Sequence, residues 1–172
     1  LVSLEAALTR FRAGADFTGI GFAFLEGDGL VGIDLDWKDE PDGQPLPHHE
    51  QAMEACDSFT ELSPSGKGVH VICLGQTDSF KDDSVGVEVY CGGRYFTCTG
   101  DRLDSKPFEA LPLKPYALAY LRQVVQEARD RAKAARQAQA SDPAEAPPTA
   151  PAPVAPGQAG NEFRQEIGRA HV

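Results

Sequence analysis

The run GIDLDWKDE, residues 32–40, sets Asp34 and Asp36 two positions apart inside an apolar stretch. A strand alternates its faces with period two, so Ile33 and Leu35 point one way and both aspartates point the other. Carboxylates sharing a face repel each other and lose hydration when covered. Water, a basic partner or a metal ion must therefore compensate them. The run VEVY at 87–90 has the same form, with Val87 and Val89 on one side and Glu88 on the other. If the two runs are neighbours in one sheet, three carboxylates converge on one face. That is the hard oxygen set that Mg²⁺ or Mn²⁺ favours, and two such ions clamp the oxygens of a phosphoryl transfer. The plainer alternative is three solvated acids on the open face of an antiparallel sheet.

A third segment, SPSGKGVHV at 63–71, joins a tight turn to a strand. Ser63, Ser65, Gly66, Lys67 and Gly68 supply hydroxyls, a point charge and glycines that let backbone N–H groups approach an anion. His70 lies between Val69 and Val71, so it faces away from them and can donate to a triphosphate oxygen. The alternative is a surface turn followed by a half-exposed histidine. The turn is not a Walker loop, which leads into a helix. Arg94, after CGG, is placed to pair with Glu88 or to reach phosphate or template.

Along the chain, the spacing of Leu4, Ala7, Leu8 and Phe11 predicts a helix over 3–13, capped by Ser3. EGDG at 26–29 signals a hairpin between two strands, and residues 85–100 read as a second hairpin turning at CGG. A short helix is expected at 48–59 with Met53 and Cys56 inward, strands at 59–63 and 69–75, a loop at TDSFKDDS, and a long helix over 115–139. From Ser141 to residue 165 the composition collapses to Ala and Pro, which predicts a disordered linker to a further domain. The ending EIGRAHV, 166–172, reads as translated sequencing adapter and is set aside.

The 172 residues suffice for one domain and a tail. The net charge of −10 is local: residues 1–115 hold nine Lys/Arg against twenty Asp/Glu. Such a domain is a poor generic polyanion binder, so nucleotide handling requires metal ions and a few placed cations. No apolar run approaches a membrane span, and the start has no signal peptide, so a cytoplasmic protein with no membrane partner is expected. Cys56, Cys73, Cys91 and Cys98 form no CxxC pair and read as reduced thiols. Their spacing with His48 and His49 is not that of a zinc knuckle or ribbon. The first residue is not Met, so an N-terminal truncation is expected.

Taken together, GIDLD, SPSGKGVH, VEVY and GRYFTCTG resemble the primase–polymerase (prim-pol) domain of the archaeo-eukaryotic primase superfamily, of phage, plasmid or mobile-element type. The resemblance spans about residues 3–125, with the domain set at 1–125 and its C-terminal helix at 115–140. It implies an α/β (α+β) fold in which a sheet like that of the RNA-recognition motif carries flanking helices and a smaller subdomain. It further implies that Asp34, Asp36 and Glu88 bind two Mg²⁺ or Mn²⁺ ions. Ser63, Ser65, Gly66, Lys67, Gly68, His70 and Arg94 would hold the phosphates of a dNTP or NTP. The implied activity is template-directed nucleotidyl transfer on single-stranded or primed DNA, with a helicase domain following the linker. A metal-dependent nuclease, a glycosyltransferase using DxD, and a non-catalytic single-stranded-DNA-binding module remain as alternatives. Tyr90, Tyr95 and Phe96 offer stacking surfaces for the last of these.

Overall fold

The structure is a computed structural model that describes residues 2–14, 17–37 and 40–141. The Ala/Pro-rich stretch beyond Ser141 and the EIGRAHV ending lie outside the described residues. Eight strands and three helices follow in the order α1 (Leu4–Arg12), β1 (Ile20–Phe24), β2 (Leu30–Asp36), α2 (Pro47–Cys56), β3 (Phe59–Leu62), β4 (Gly68–Leu74), β5 (Phe80–Asp82), β6 (Val87–Tyr90), β7 (Arg94–Cys98), β8 (Leu111–Pro112) and α3 (Pro115–Ser141). This is a mixed α and β architecture. The main sheet runs β3-β4-β2-β6-β5, with β8 added beside β4, and every pair in it is antiparallel except β4 with β8.

One face of this sheet makes the core. Val31, Ile33 and Leu35 of β2 lie in register with Cys73, Val71 and Val69 of β4, while Val89 and Val87 of β6 flank Ile33 and Leu35. Ala52 and Cys56 of α2 and Ala117, Leu121 and Val125 of α3 cover them. Each such large apolar side chain contributes about 1.5–3 kcal/mol on burial. Helix α1 forms as its spacing dictates, with the Ser3 hydroxyl accepting from Ala6 N at 3.2 Å. It buries none of its residues, however, and Leu4 stays 68% exposed.

Neither expected hairpin is a hairpin. β1 does not pair with β2, nor β6 with β7. Instead β1 and β7 pair with each other, Phe22 opposite Phe96, as a separate two-stranded ribbon. The turns at 25–29 and 91–93 therefore carry the chain from one layer to another. Gly32 shows why. A Cβ there would stand 2.6 Å from Phe24 Cζ and 2.7 Å from Phe96 Cε2. The ribbon lies over the second face of β2, and side-chain packing between layers replaces edge pairing. The segment expected as a loop at 77–84 instead supplies edge strand β5 and begins a 3₁₀ turn, Asp83–Val85.

Candidate active site

The second face of the main sheet carries a row of polar side chains in strict register. Glu61 of β3 lies opposite His70 of β4, His70 opposite Asp34 of β2, Asp34 opposite Glu88 of β6, and Glu88 opposite Lys81 of β5. Directly opposed residues in an antiparallel pair have Cα atoms about 4.5–5.5 Å apart, so consecutive members of the row stand side by side. Asp36 stands two residues further along the same face of β2, opposite Gly68. The period of two that placed Ile33 and Leu35 in the core thus puts both aspartates and Glu88 on one face.

At the far end of the row, Glu88 is enclosed by cations. Its carboxylate lies 3.4 Å from Lys81 Nζ and 3.5 Å from an Arg94 guanidinium nitrogen. It also accepts from the Tyr90 hydroxyl. Burial, then the Glu88 carboxylate, pushes the Tyr90 phenol up to about 12. Arg94 also sits over the Tyr90 ring at 4.8 Å. Lys81, which bonds Asp83 at 3.0 Å as well, is raised by those two carboxylates. Among the described residues no three His, Cys, Asp or Glu side chains are gathered closely enough to hold a metal ion. The Glu88 oxygens are turned to Lys81, Arg94 and Tyr90.

Beside Asp36, the segment from Ser63 to Gly68 closes the β3–β4 hairpin. Ser63 N donates to Gly68 O at 2.9 Å, Gly66 N to Ser63 O at 2.9 Å, and Lys67 N to the Ser65 hydroxyl at 3.1 Å. The Ser63 and Ser65 hydroxyls lie 3.0 Å apart. These bonds use the Gly66 and Lys67 N–H groups within the turn, so the expected backbone nest is closed on itself. The Lys67 side chain, by contrast, is exposed. Gly68 is required by contact with β2: a Cβ there would stand 2.7 Å from Leu35 O. Trp37 N donates to Lys67 O at 3.0 Å, tying the turn to the strand that carries the aspartates.

His70 is only 6% exposed, its ring stacked on Phe96 with centroids 4.3 Å apart. Phe96 is thus a core residue of this face, whereas Tyr95 is 68% exposed. Burial lowers the His70 pKa, opposed in part by Glu61.

Two residues escaped the sequence reading. Once the turn sets Ser63 against Gly68, antiparallel pairing brings Glu61 opposite His70. The signal lay in counting outward from the turn. His49 of α2 is buried, its Nδ1 accepting from Leu46 N at 3.2 Å and its Nε2 lying 2.8 Å from Val85 O. The neighbouring Gly86 O accepts from Asp36 N at 2.9 Å, so His49 braces the backbone that holds Asp36. His48 Nε2 lies at the same Val85 carbonyl, 2.8 Å away, and the four cysteines are free thiols.

Against known proteins, no family model matches the chain. Over 109 residues it is 36% identical to a DNA primase-polymerase of Nitratiruptor phage NrS-1, an alignment that takes in 59% of the chain. The chain resembles a phage-type primase–polymerase domain. The likeness carried by GIDLD, SPSGKGVH and VEVY thus has a counterpart in a separate comparison. The chain spans about 15% of that relative's length. No helix among the described residues is long and apolar enough to cross a membrane.

Proposed function

We propose that residues 1–125 form the catalytic domain of a DNA primase–polymerase with the prim-pol fold, acting in replication of a phage, plasmid or mobile element. The observation that carries this reading is the register of β4, β2 and β6, in which Asp34 lies between His70 and Glu88. Asp34, Asp36 and Glu88 would hold two Mg²⁺ or Mn²⁺ ions. When bound, those ions supply the positive charge that neutralises the reacting phosphates on an otherwise acidic face.

The remaining work falls to the protein's own groups. Ser63, Ser65 and Lys67 stand at the hairpin tip beside Asp36 and receive the outer phosphates of a dNTP or NTP. Gly66 and Gly68 give the turn its shape. His70, held against Phe96, lines the same site. Arg94 pairs with Glu88 and, from its exposed position, reaches phosphate or template. Catalysis is then positioning and electrostatic stabilisation of the transferring phosphoryl group. The partners are single-stranded or primed DNA and a helicase domain elsewhere in the protein.

The test is incorporation of dNTPs on primed and unprimed single-stranded DNA with Mg²⁺ or Mn²⁺. Asp34→Asn and Glu88→Gln each abolish incorporation while leaving the fold, read by circular dichroism, intact. Full incorporation by either variant overturns the proposal, and release of mononucleotides from DNA without added dNTP replaces it with a nuclease.

A further inference from the structure

Glu61 is 3% exposed, which makes it the most buried carboxylate of the polar row. Its Oε2 accepts from Gly100 N at 3.0 Å and its Oε1 from Thr99 N at 3.3 Å, so the strand entering the hairpin is tied to the chain leaving β7. The same Oε1 lies 3.8 Å from Nδ1 of His70. That nitrogen is fully buried and has no hydrogen-bond partner among the described residues. Two groups that each carry a cost when buried alone thus face each other across a gap that a shift of ~1 Å closes to hydrogen-bond length. Phe96 covers one face of the ring, with centroids 4.3 Å apart. Both carboxylate oxygens of Glu61 accept from the backbone, and His70 Nδ1 is the side-chain group that faces Oε1.

We propose that Glu61 is a positioning residue for His70: its carboxylate faces the Nδ1 edge of the imidazole, favours the Nδ1–H form and sets the orientation of the ring. The role at the substrate rests on the nucleotidyl-transfer reading above; the pairing with His70 does not. A carboxylate behind one ring nitrogen sets the tautomer and orientation of a histidine. In this site that holds the ring in one orientation beside Asp34 when a triphosphate arrives. Substituting a partner of this kind costs on the order of 10-fold in affinity or activity.

The experiment uses the 172-residue chain with ¹⁵N-labelled histidine. Long-range ¹H–¹⁵N spectra of the wild type, with His70 assigned by His70→Gln, show His70 in the Nδ1–H form at neutral pH. Glu61→Gln, which keeps the shape but replaces one accepting oxygen with an NH₂ donor, abolishes that preference. It also weakens dATP binding about 10-fold by calorimetry in Mn²⁺, while turnover at saturating dATP changes less. An Nε2–H form in the wild type overturns the proposal, and that measurement needs no variant to fold. A ring signature unchanged in Glu61→Gln overturns it as well, and assigns Glu61 to tethering Thr99 and Gly100 alone. The ring signature shifting as expected while neither protein binds dATP sustains the pairing and overturns the nucleotidyl-transfer reading.

Discussion

At the scale of single residues, Gly68 and His49 show how the neighbours of the acidic pair hold it in place. Gly68 touches the β2 backbone, and a methyl group 2.7 Å from Leu35 O leaves no side chain to yield. Gly68→Ala is expected to cost about 1–3 kcal/mol, as overpacking does, read as a lower urea midpoint. His49 makes a different prediction. Its Nδ1 accepts a hydrogen bond and its Nε2 faces a carbonyl, an arrangement that suits the neutral ring. Burial lowers its pKa below the ordinary 6.5. The unfolded chain therefore binds the proton first, and the stability His49 contributes is complete above that ordinary value and lost as the pH falls through the lowered one. Wild-type urea midpoints should drop between about pH 7 and pH 5.5, before carboxylates titrate, and drop less in His49→Gln. Equal drops in the two proteins would remove His49 as the cause.

Among the elements, the β1–β7 ribbon is the least expected. Both of its strands were visible as apolar runs ending in glycine-rich turns, and such turns ordinarily fold a chain back on its neighbour in sequence. What decided otherwise was the second face of β2, where Gly32 leaves room for Phe24 and Phe96. Two strands alone make few hydrogen bonds, and this pair depends on that aromatic contact. Its amides are expected to exchange with solvent through local opening at lower free energy than those of β2 and β4, which have a strand on either side. Native-state hydrogen exchange checks this. Equal protection in the ribbon and the central strands would mean that the two layers open as one unit. The β3–β4 hairpin, whose strands do pair as the sequence suggests, shows the contrast. Its turn is closed by its own hydrogen bonds and needs no second layer.

For the molecule as a whole, the proposed function sets the concentration of acids in residues 1–115 against an anionic substrate, which calls for divalent cations. Binding of divalent ions to the native state alone stabilises it by mass action, by about 2.7 kcal/mol at a hundredfold excess over Kd. Mn²⁺ titrated onto the wild type is therefore expected to raise Tm, and a chelator to reverse the rise. The Asp34→Asn/Glu88→Gln double variant should show no rise. A rise of the same size in both proteins would place the ion elsewhere. This readout needs neither DNA nor nucleotide, so it tests the carboxylate set apart from the reaction.

The sequence by itself determined which faces exist. Period-two alternation in LVGIDLD, VHVICL and VEVY assigned Ile33, Leu35, Val69, Val71, Val87 and Val89 to the core and Asp34, Asp36, His70 and Glu88 to the opposite side, because side-chain direction in a strand is a local property of the backbone. It determined the three helices and the turn before Gly68 for the same reason, though not that the turn closes on its own hydrogen bonds. Which strand lies beside which is not local. That Glu88 stands across from Asp34, that Glu61 lies behind His70, and that β1 finds β7 rather than β2 all depend on how layers fill the space above Gly32. Only the tertiary structure decided this, since packing between distant segments selects among pairings that the alternating pattern alone leaves equal.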